Sequence, residues 1–447
     1  MTEREIMINS ISKELWGTIS QYRGTSLIDN IQIPLLGLIY LKKESRLSNL
    51  LEKDNYYDFQ IREEGLDAEV RECLIPLIDF TNLNSGNKSF IFNLIELLNS
   101  YSINDREEYI DLLEVLIKLF AEYDGKRRDS IQTPKEVIEL MQYFYPKNEG
   151  NLIYNPFGGL ASFSISDKTD SKYIVDEINE ETSQLAKLRL LIHDKEHNTE
   201  IHKNNSIFNW RKKENSFDAV ISFPPFGLKL KGQDLDKLNY SYRRGSIDLL
   251  SNNLESLIIY NSLESINLTG RCILACPDSF LFGGGKVQDL REFLVEQNLV
   301  DTVISLPPNL LNNASIPFNI LVLRKDKTDN KVRFINAEDF YTKTNRFKKT
   351  LALDEILNLV EFGNNDLVDR FIPMEAIAKK DYILSPKRYF DDLALIGKKA
   401  SILKPLKTLL KETEVMQLDD TENGVMVGIS DLSIDYLTEV LSTGLDG

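Results

Sequence analysis

The sequence predicts an α/β protein: an α-helical N-terminal domain followed by a domain built on a mostly parallel, doubly wound sheet. Two patterns carry that expectation. Up to about Tyr123 the apolar residues recur with helical periodicity, as in SLIDNIQIPLLGLIYLKK and NKSFIFNLIELLNS, with turn clusters such as NLNSGN between them. From about Ser130 short apolar runs alternate with amphipathic segments, which is the signature of βαβ units. At 447 residues and 42% hydrophobic composition, the chain has length for two or three domains with a core in each.

Taken in order, the expected strands are NLIYN, KYIVDE, DAVISF, GRCILACP, DTVISLP and NILVLRK. The expected helices among them are PKEVIELMQYF, EETSQLAKLRLLIHD, LESLIIYNSLESI and VQDLREFLVEQ, each with apolar residues at helical spacing. A short strand in KVRFINA and a helix near LDEILNLVEF follow, then DYILSPKRYF. No repeat or low-complexity stretch is present.

Composition removes several classes. No run of eighteen apolar residues exists, and the start MTEREIMINSISKELW is charged where a secretory signal needs an apolar stretch, so a cytoplasmic protein with no membrane contact is expected. Cys73, Cys272 and Cys276 are too few and too irregularly spaced for a disulfide framework or a zinc site, and no metal is expected. The net charge of −16 repels nucleic acid as a whole, so any DNA contact needs a local basic patch or another subunit. Local clusters are Lys126 with Arg127 and Arg128, Arg211 with Lys212 and Lys213, and Arg243 with Arg244, each equally readable as a solvated face.

Three motifs bear on chemistry. NLIYNPFGGLASFS is a strand, a glycine-containing turn and a small-residue helix start; Gly158 and Gly159 serve either a close backbone approach to a ligand or simply a tight turn. KYIVDEINEE places Asp176 and Glu177 at the end of the next strand, about twenty residues on, the spacing at which a carboxylate meets ribose hydroxyls, although an acid there also serves as a charge at the start of the following helix. FDAVISFPPFG ends a strand in Pro224 and Pro225 between Phe223 and Phe226; the rigid prolines can project a ring onto an unstacked base, or both rings can plug a core. GGGK at Gly283–Lys286 lacks phosphate-loop spacing, and LPPN at Leu306–Asn309 reads as a strand-end turn.

In order and spacing these motifs resemble the adenine-N6 DNA methyltransferases that form the methylase subunits of type I restriction-modification systems, from the helical N-terminus to about Phe390. The resemblance implies a Rossmann-like AdoMet-dependent methyltransferase domain. It implies that Thr133 and Pro134, in SIQTPKEVIELM, contact the methionine end of AdoMet. The family's D-P-x-x-G-x-G-G-F turn corresponds to Asn155 through Phe163, which assigns Asn155, Pro156, Phe157, Gly158 and Gly159 to the cofactor. G-x-E-I-N corresponds to Val175 through Asn179 and puts Glu177 on the ribose. Asn205, with Ser206, in HKNNSIF takes the place of the residue that binds the adenine amine. D-x-x-x-x-N-P-P-F corresponds to Asp218 through Phe226, so Phe223, Pro224, Pro225 and Phe226 form the catalytic loop. GRCILACPDSFLFGGGKVQDLREFLVE, DTVISLPPNLLNNASIPFNILVLRK and DYILSPKRYF continue the family pattern.

The departures are as informative. Asn155 stands where the family has Asp and lacks the charge that attracts the ammonium of AdoMet; Asn205 likewise replaces Asp. Phe223 stands where an Asn oxygen accepts a hydrogen bond from the target amine, which leaves the backbone carbonyls of Phe223 or Pro224, or the Ser222 hydroxyl in a shifted loop. Losing one such contact costs about 3 kcal/mol, compatible with slow methylation or with a catalytically degenerate subunit that binds AdoMet or DNA for assembly. The resemblance further implies duplex DNA, a specificity subunit or fused specificity domain, and a restriction subunit as partners. It divides the chain into a helical domain at 1–125, the methyltransferase domain at 126–390, and at 391–447 a linker with the start of a specificity-like recognition module. That last stretch is too short to complete such a module.

Overall fold

The computed structural model describes residues 2–22, 31–47, 68–124, 133–146, 150–211, 216–228, 234, 238, 254–311, 316–343, 348–363 and 367–390. The expectations for 391–447, for Lys126–Arg128, for Lys212 and Lys213, and for Arg243 and Arg244 lie outside the described residues.

Among the described residues, five helices, α1 (Glu3–Ser20), α2 (Gln32–Lys43), α3 (Ala68–Asn82), α4 (Ser85–Ser100) and α5 (Arg106–Asp124), make up the N-terminal part. Thr2 caps α1 through a capping box with Glu5, and Asn84 caps α4 by accepting from Asn87 N–H, which satisfies helix-end donors that would otherwise be orphaned. Their apolar stripes meet in one core containing Ile11, Leu15, Leu38, Leu94 and Leu113.

After α6 (Lys135–Tyr143) the chain lays down β1 (Leu152–Asn155), α7 (Ser162–Ser166), β2 (Lys172–Glu177), α8 (Glu180–Ile192), β3 (Thr199–Lys203) and β4 (Phe217–Ser222). There follow α9 (Leu254–Ser265), β5 (Ile266–Pro277), α10 (Asp278–Phe282), α11 (Lys286–Glu296), β6 (Val300–Ser305), β7 (Phe318–Arg324) and β8 (Lys331–Asn336). The last elements are β9 (Tyr341–Lys343), β10 (Lys349–Leu351), α12 (Leu353–Phe362), β11 (Asp369–Pro373) and α13 (Met374–Ala378).

Nine strands form one sheet in the order β11-β8-β6-β7-β5-β4-β1-β2-β3. Strands β1 to β6 and β8 run parallel, while β7 is antiparallel to both its neighbours and β11 to β8. The sheet is buried on both faces, as mostly parallel sheets must be. Strand order reverses between β1 and β4, where Ile153 and Tyr154 pair with Ala219 and Val220. In doubly wound sheets the crevice at the carboxyl ends of such strands is where ligands bind. The glycine turn and the FPPF loop therefore emerge side by side.

The helical part is not merely tethered to this sheet. Leu188, Leu191 and Ile192 of α8 belong to its core, and Arg189 of α8 makes a two-pronged contact with Glu114 of α5, Nε and Nη2 donating at 2.8 and 2.9 Å. Nη1 of the same guanidinium donates to the carbonyl of Leu160 and the hydroxyl of Ser162, both at 2.9 Å, just beyond the glycine turn. His193 Nε2 lies 2.9 Å from Glu114 Oε1. Burial raises the Glu114 pKa, but the charge of Arg189 and the hydrogen bonds from His193 and Arg189 outweigh it and bring it from 4.5 to about 2. A carboxylate depressed in the folded state stabilises fully above its unfolded value and loses that contribution as pH falls through the folded one. The contribution of Glu114 to the attachment is thus expected to be fully present above about pH 5 and to be lost between about 4.5 and 2. Acid unfolding of Glu114→Gln, followed by circular dichroism beside the unaltered chain, should lose that segment of pH dependence.

Candidate functional site

Asn155 closes β1 and is buried; its Oδ1 accepts from Phe157 N–H at 3.2 Å and bends the chain into the turn. Gly158 N–H donates to the Asp176 carbonyl at 2.8 Å, and a Cβ there would sit 2.1 Å from Val175 Cγ1, so only glycine lets the turn lie this close to β2. Gly159 is left-handed at φ +52°, which turns its N–H onto Glu177 Oε2 at 2.9 Å. Ala161, at φ +57°, starts α7 from the same region without a glycine's freedom.

Strand alternation separates the two acids that end β2. Asp176 is fully buried, and its carboxylate receives Tyr154 Oη and Asn204 Nδ2 on Oδ2, both at 2.7 Å, and Arg211 Nε on Oδ1 at 2.7 Å. Burial, reinforced by the Asp176 charge, pushes the Tyr154 phenol far up, so it remains a proton donor. Arg211 is thereby drawn off the basic patch in which the sequence placed it, because its guanidinium is paired with this buried acid. Glu177 is half-buried, and its carboxylate accepts from Gly159 N–H on one oxygen and from Asn179 N–H on the other, at 2.8 Å. Two backbone donors fix its orientation and leave further lone pairs to accept hydroxyl donors.

Beyond β3, Asn205 accepts from Ile207 N–H through Oδ1 at 3.1 Å, and its Nδ2 has no partner among the described residues. Ser206 is buried and donates to the Pro156 carbonyl at 2.7 Å, lacing this loop to the glycine turn. Pro134 begins α6, which packs against α7, and Gln142 Nε2 of α6 donates to the Phe163 carbonyl at 2.7 Å. Thr133 and Pro134 thus lead into a helix held beside the turn. Phe157, half-buried, packs against the core on the opposite face.

At the end of β4 the Phe223 ring meets Phe226 with centroids 5.3 Å apart and Phe318 edge-on at 4.9 Å. Pro224 is buried and Pro225 exposed. The loop is pinned on its far side, where Gly227 N–H donates to Glu255 Oε1 at 2.7 Å. Glu255 is buried in the first turn of α9, and an acid opening the otherwise apolar LESLIIY was the signal for it in the sequence. One residue before Phe223, the fully buried Ser222 hydroxyl has no hydrogen-bond partner among the described residues. A buried hydroxyl left unmated is costly unless something else meets it.

No His, Cys, Asp or Glu cluster among the described residues could hold a metal ion, and no helix there is long and apolar enough to cross a membrane. The buried thiols Cys272 and Cys276 are pushed well up by burial and are inert.

A reversal between β1 and β4, a glycine turn on β1, a carboxylate ending β2 and a proline-aromatic loop after β4 define a Rossmann-like methyltransferase fold. Residues 104–395 match the N-6 DNA methylase family, and the chain belongs to it. It is 25% identical over 371 residues to the methylase subunit of the type I restriction enzyme MpnII of Mycoplasma pneumoniae, covering 76% of this chain and 66% of that one. With the MjaIX methylase subunit of Methanocaldococcus jannaschii it shares 23% identity over 463 residues, 93% of this chain and 82% of the relative. Against the MjaVIII methylase subunit of the same organism the chain spans 61% of the relative's length. The fold is shared with the methyltransferase subunit of a type I restriction-modification system from Streptococcus thermophilus, at a TM-score of 0.71 and 20% identity, covering 86% of this chain and 100% of that one.

Proposed function

We propose that this chain is the modification component of a type I-like restriction-modification or phage-defence system, transferring a methyl group from AdoMet to adenine N6 at a defined site in duplex DNA. The observation that carries the reading is the juxtaposition at the β1–β4 reversal: a glycine turn whose Gly159 N–H holds Glu177, beside a loop that presents Phe226 next to a double proline. The residues fit the cofactor. Glu177, held by two backbone donors, has lone pairs for a ribose diol, and the unpaired Nδ2 of Asn205 can donate to an adenine ring nitrogen. AdoMet, when bound, supplies a methyl group activated on a sulfonium. What the chain supplies is placement: Phe226 as a stacking surface for a flipped base, and the carbonyls of Phe223 and Pro224 or the unmated Ser222 hydroxyl to hold the amine.

Recognition of the sequence falls to a specificity partner or to a module that residues 391–447 begin, which suits a chain of net charge −16. Cleavage belongs to a separate restriction subunit.

A second reading has its own observation. The Phe223 ring is packed against Phe226 and Phe318 in the place of the amine acceptor, which favours a subunit that binds cofactor or DNA without turnover. DNA from a methylation-free host that expresses the full reading frame with its neighbouring subunits separates the two. N6-methyladenine at one defined sequence supports the enzyme; its absence, with AdoMet still bound, supports the binding subunit.

A further inference from the structure

The β9–β10 hairpin breaks a local rule. Lys349 is directly opposite Lys343 in the antiparallel register, and like charges so placed destabilise a strand pair. Residues 341–351 contain no acidic side chain to relieve them. Neither lysine has an ion pair among the described residues; Lys343 is exposed, and Lys349 Nζ lies 3.6 Å from the centroid of the Tyr341 ring on the same face. In a chain of net charge −16 this is a concentrated positive site.

Its location adds to this. The hairpin rises from the carboxyl ends of β6 and β8: Ala337 N–H donates to the Ser305 carbonyl at 2.9 Å and Lys349 N–H to the Asn309 carbonyl at 3.1 Å. β10 packs against α6, the helix that carries Thr133 and Pro134 at its start. Leu351 and Phe340 share a core with Phe223 and Phe226. The hairpin therefore stands at the same end of the sheet as the candidate site, on the face where the FPPF rings lie.

We propose that this hairpin is a DNA-backbone contact, with Lys343 and Lys349 straddling one phosphodiester; the assignment rests on the reading of duplex DNA as substrate. Opposed side chains on one face have Cβ atoms about 4.5–5.5 Å apart, close enough for two ammonium groups to share one phosphate. The phosphate removes the repulsion that the free hairpin carries. The contact reads no sequence. It sets the position of the duplex relative to the strand ends.

The test is the salt dependence of duplex binding by the full chain assembled with its neighbouring subunits, measured by fluorescence anisotropy from about 50 to about 200 mM salt. K343Q/K349Q is expected to reduce the slope of log K against log salt by about 1, equally for any duplex sequence. AdoMet binding should be unchanged, and thermal stability unchanged or slightly raised, since a like-charge pair is removed. An unchanged slope overturns the contact and leaves the lysines as guards against edge-to-edge strand pairing. A slope that falls for single-stranded RNA and not for duplex DNA also overturns it. Failure of the unaltered assembly to bind any duplex overturns the substrate reading together with the contact, so the two failures are distinguishable.

Discussion

Replacing Phe223 with Asn is expected to raise the rate of adenine methylation about a hundredfold, with AdoMet affinity little changed. The amine of adenine is a poor nucleophile because its lone pair is delocalised into the ring, and acceptors placed around its hydrogens favour the tetrahedral nitrogen that attacks a sulfonium methyl. One well-placed transition-state acceptor is worth about 3–4 kcal/mol, or roughly 10²–10³ in rate. A phenyl ring offers none, and here it is held by Phe226 and Phe318. The substitution costs packing. Phe223 is only half-buried, so the loss should stay well under the roughly 3–5 kcal/mol of a fully buried Phe→Ala. Single-turnover methylation of a defined duplex measures the gain. Ser222→Ala in the otherwise unaltered chain completes the experiment: if the unmated hydroxyl accepts the amine in place of the missing Asn, residual methylation disappears. A rate that Phe223→Asn leaves unmoved would show that the loop does not hold the amine through this position.

The parts of this architecture legible in the sequence were those that local patterning controls. Seven strands of the doubly wound sheet and the helices between them follow from the patterning, and the two-part organisation from the change of texture near Ser130. β3 was missed because TEIHK, at the sheet edge, has little apolar character. β11 was missed because only Asp369 among its residues is buried. The site was legible as short motifs, since glycine turns and proline pairs are local devices. What joins them was not. Arg189 reaches Glu114 across 75 residues and Leu160 across 29, and no window along the chain contains both. The pairing of Lys343 with Lys349 needed a hairpin register that the two short strands do not announce. The consequence for Arg211 is similar: three consecutive basic residues read as a patch, yet the first is spent on a buried acid 35 positions earlier.

The adjacent acids Asp176 and Glu177 should fail in opposite ways. Asp176→Ala is expected to destabilise the chain by about 3–5 kcal/mol, because it removes the acceptor on which a buried phenol, an amide and a guanidinium converge. The Tyr154 hydroxyl is then buried with no described acceptor nearer than Ser206 Oγ at 3.5 Å, and the stack of Tyr154 on Phe217 loses its anchor. At about 2–4 °C per kcal/mol for a domain of this size, the melting temperature falls by roughly 10 °C. Glu177→Ala removes a half-buried carboxylate whose backbone donors, near the surface, can turn to water, so the folding cost is about 1 kcal/mol or less. AdoMet affinity should nevertheless fall by roughly 10- to 100-fold, since charge-assisted hydrogen bonds of about 1.5–3 kcal/mol are lost from a ribose diol. Thermal melting and calorimetric titration with AdoMet on both variants decide the matter. If Glu177→Ala keeps full affinity, the carboxylate only braces the turn and the ribose lies elsewhere; if it melts as early as Asp176→Ala, the alternation of β2 does not divide structural from ligand-facing acids at this strand end.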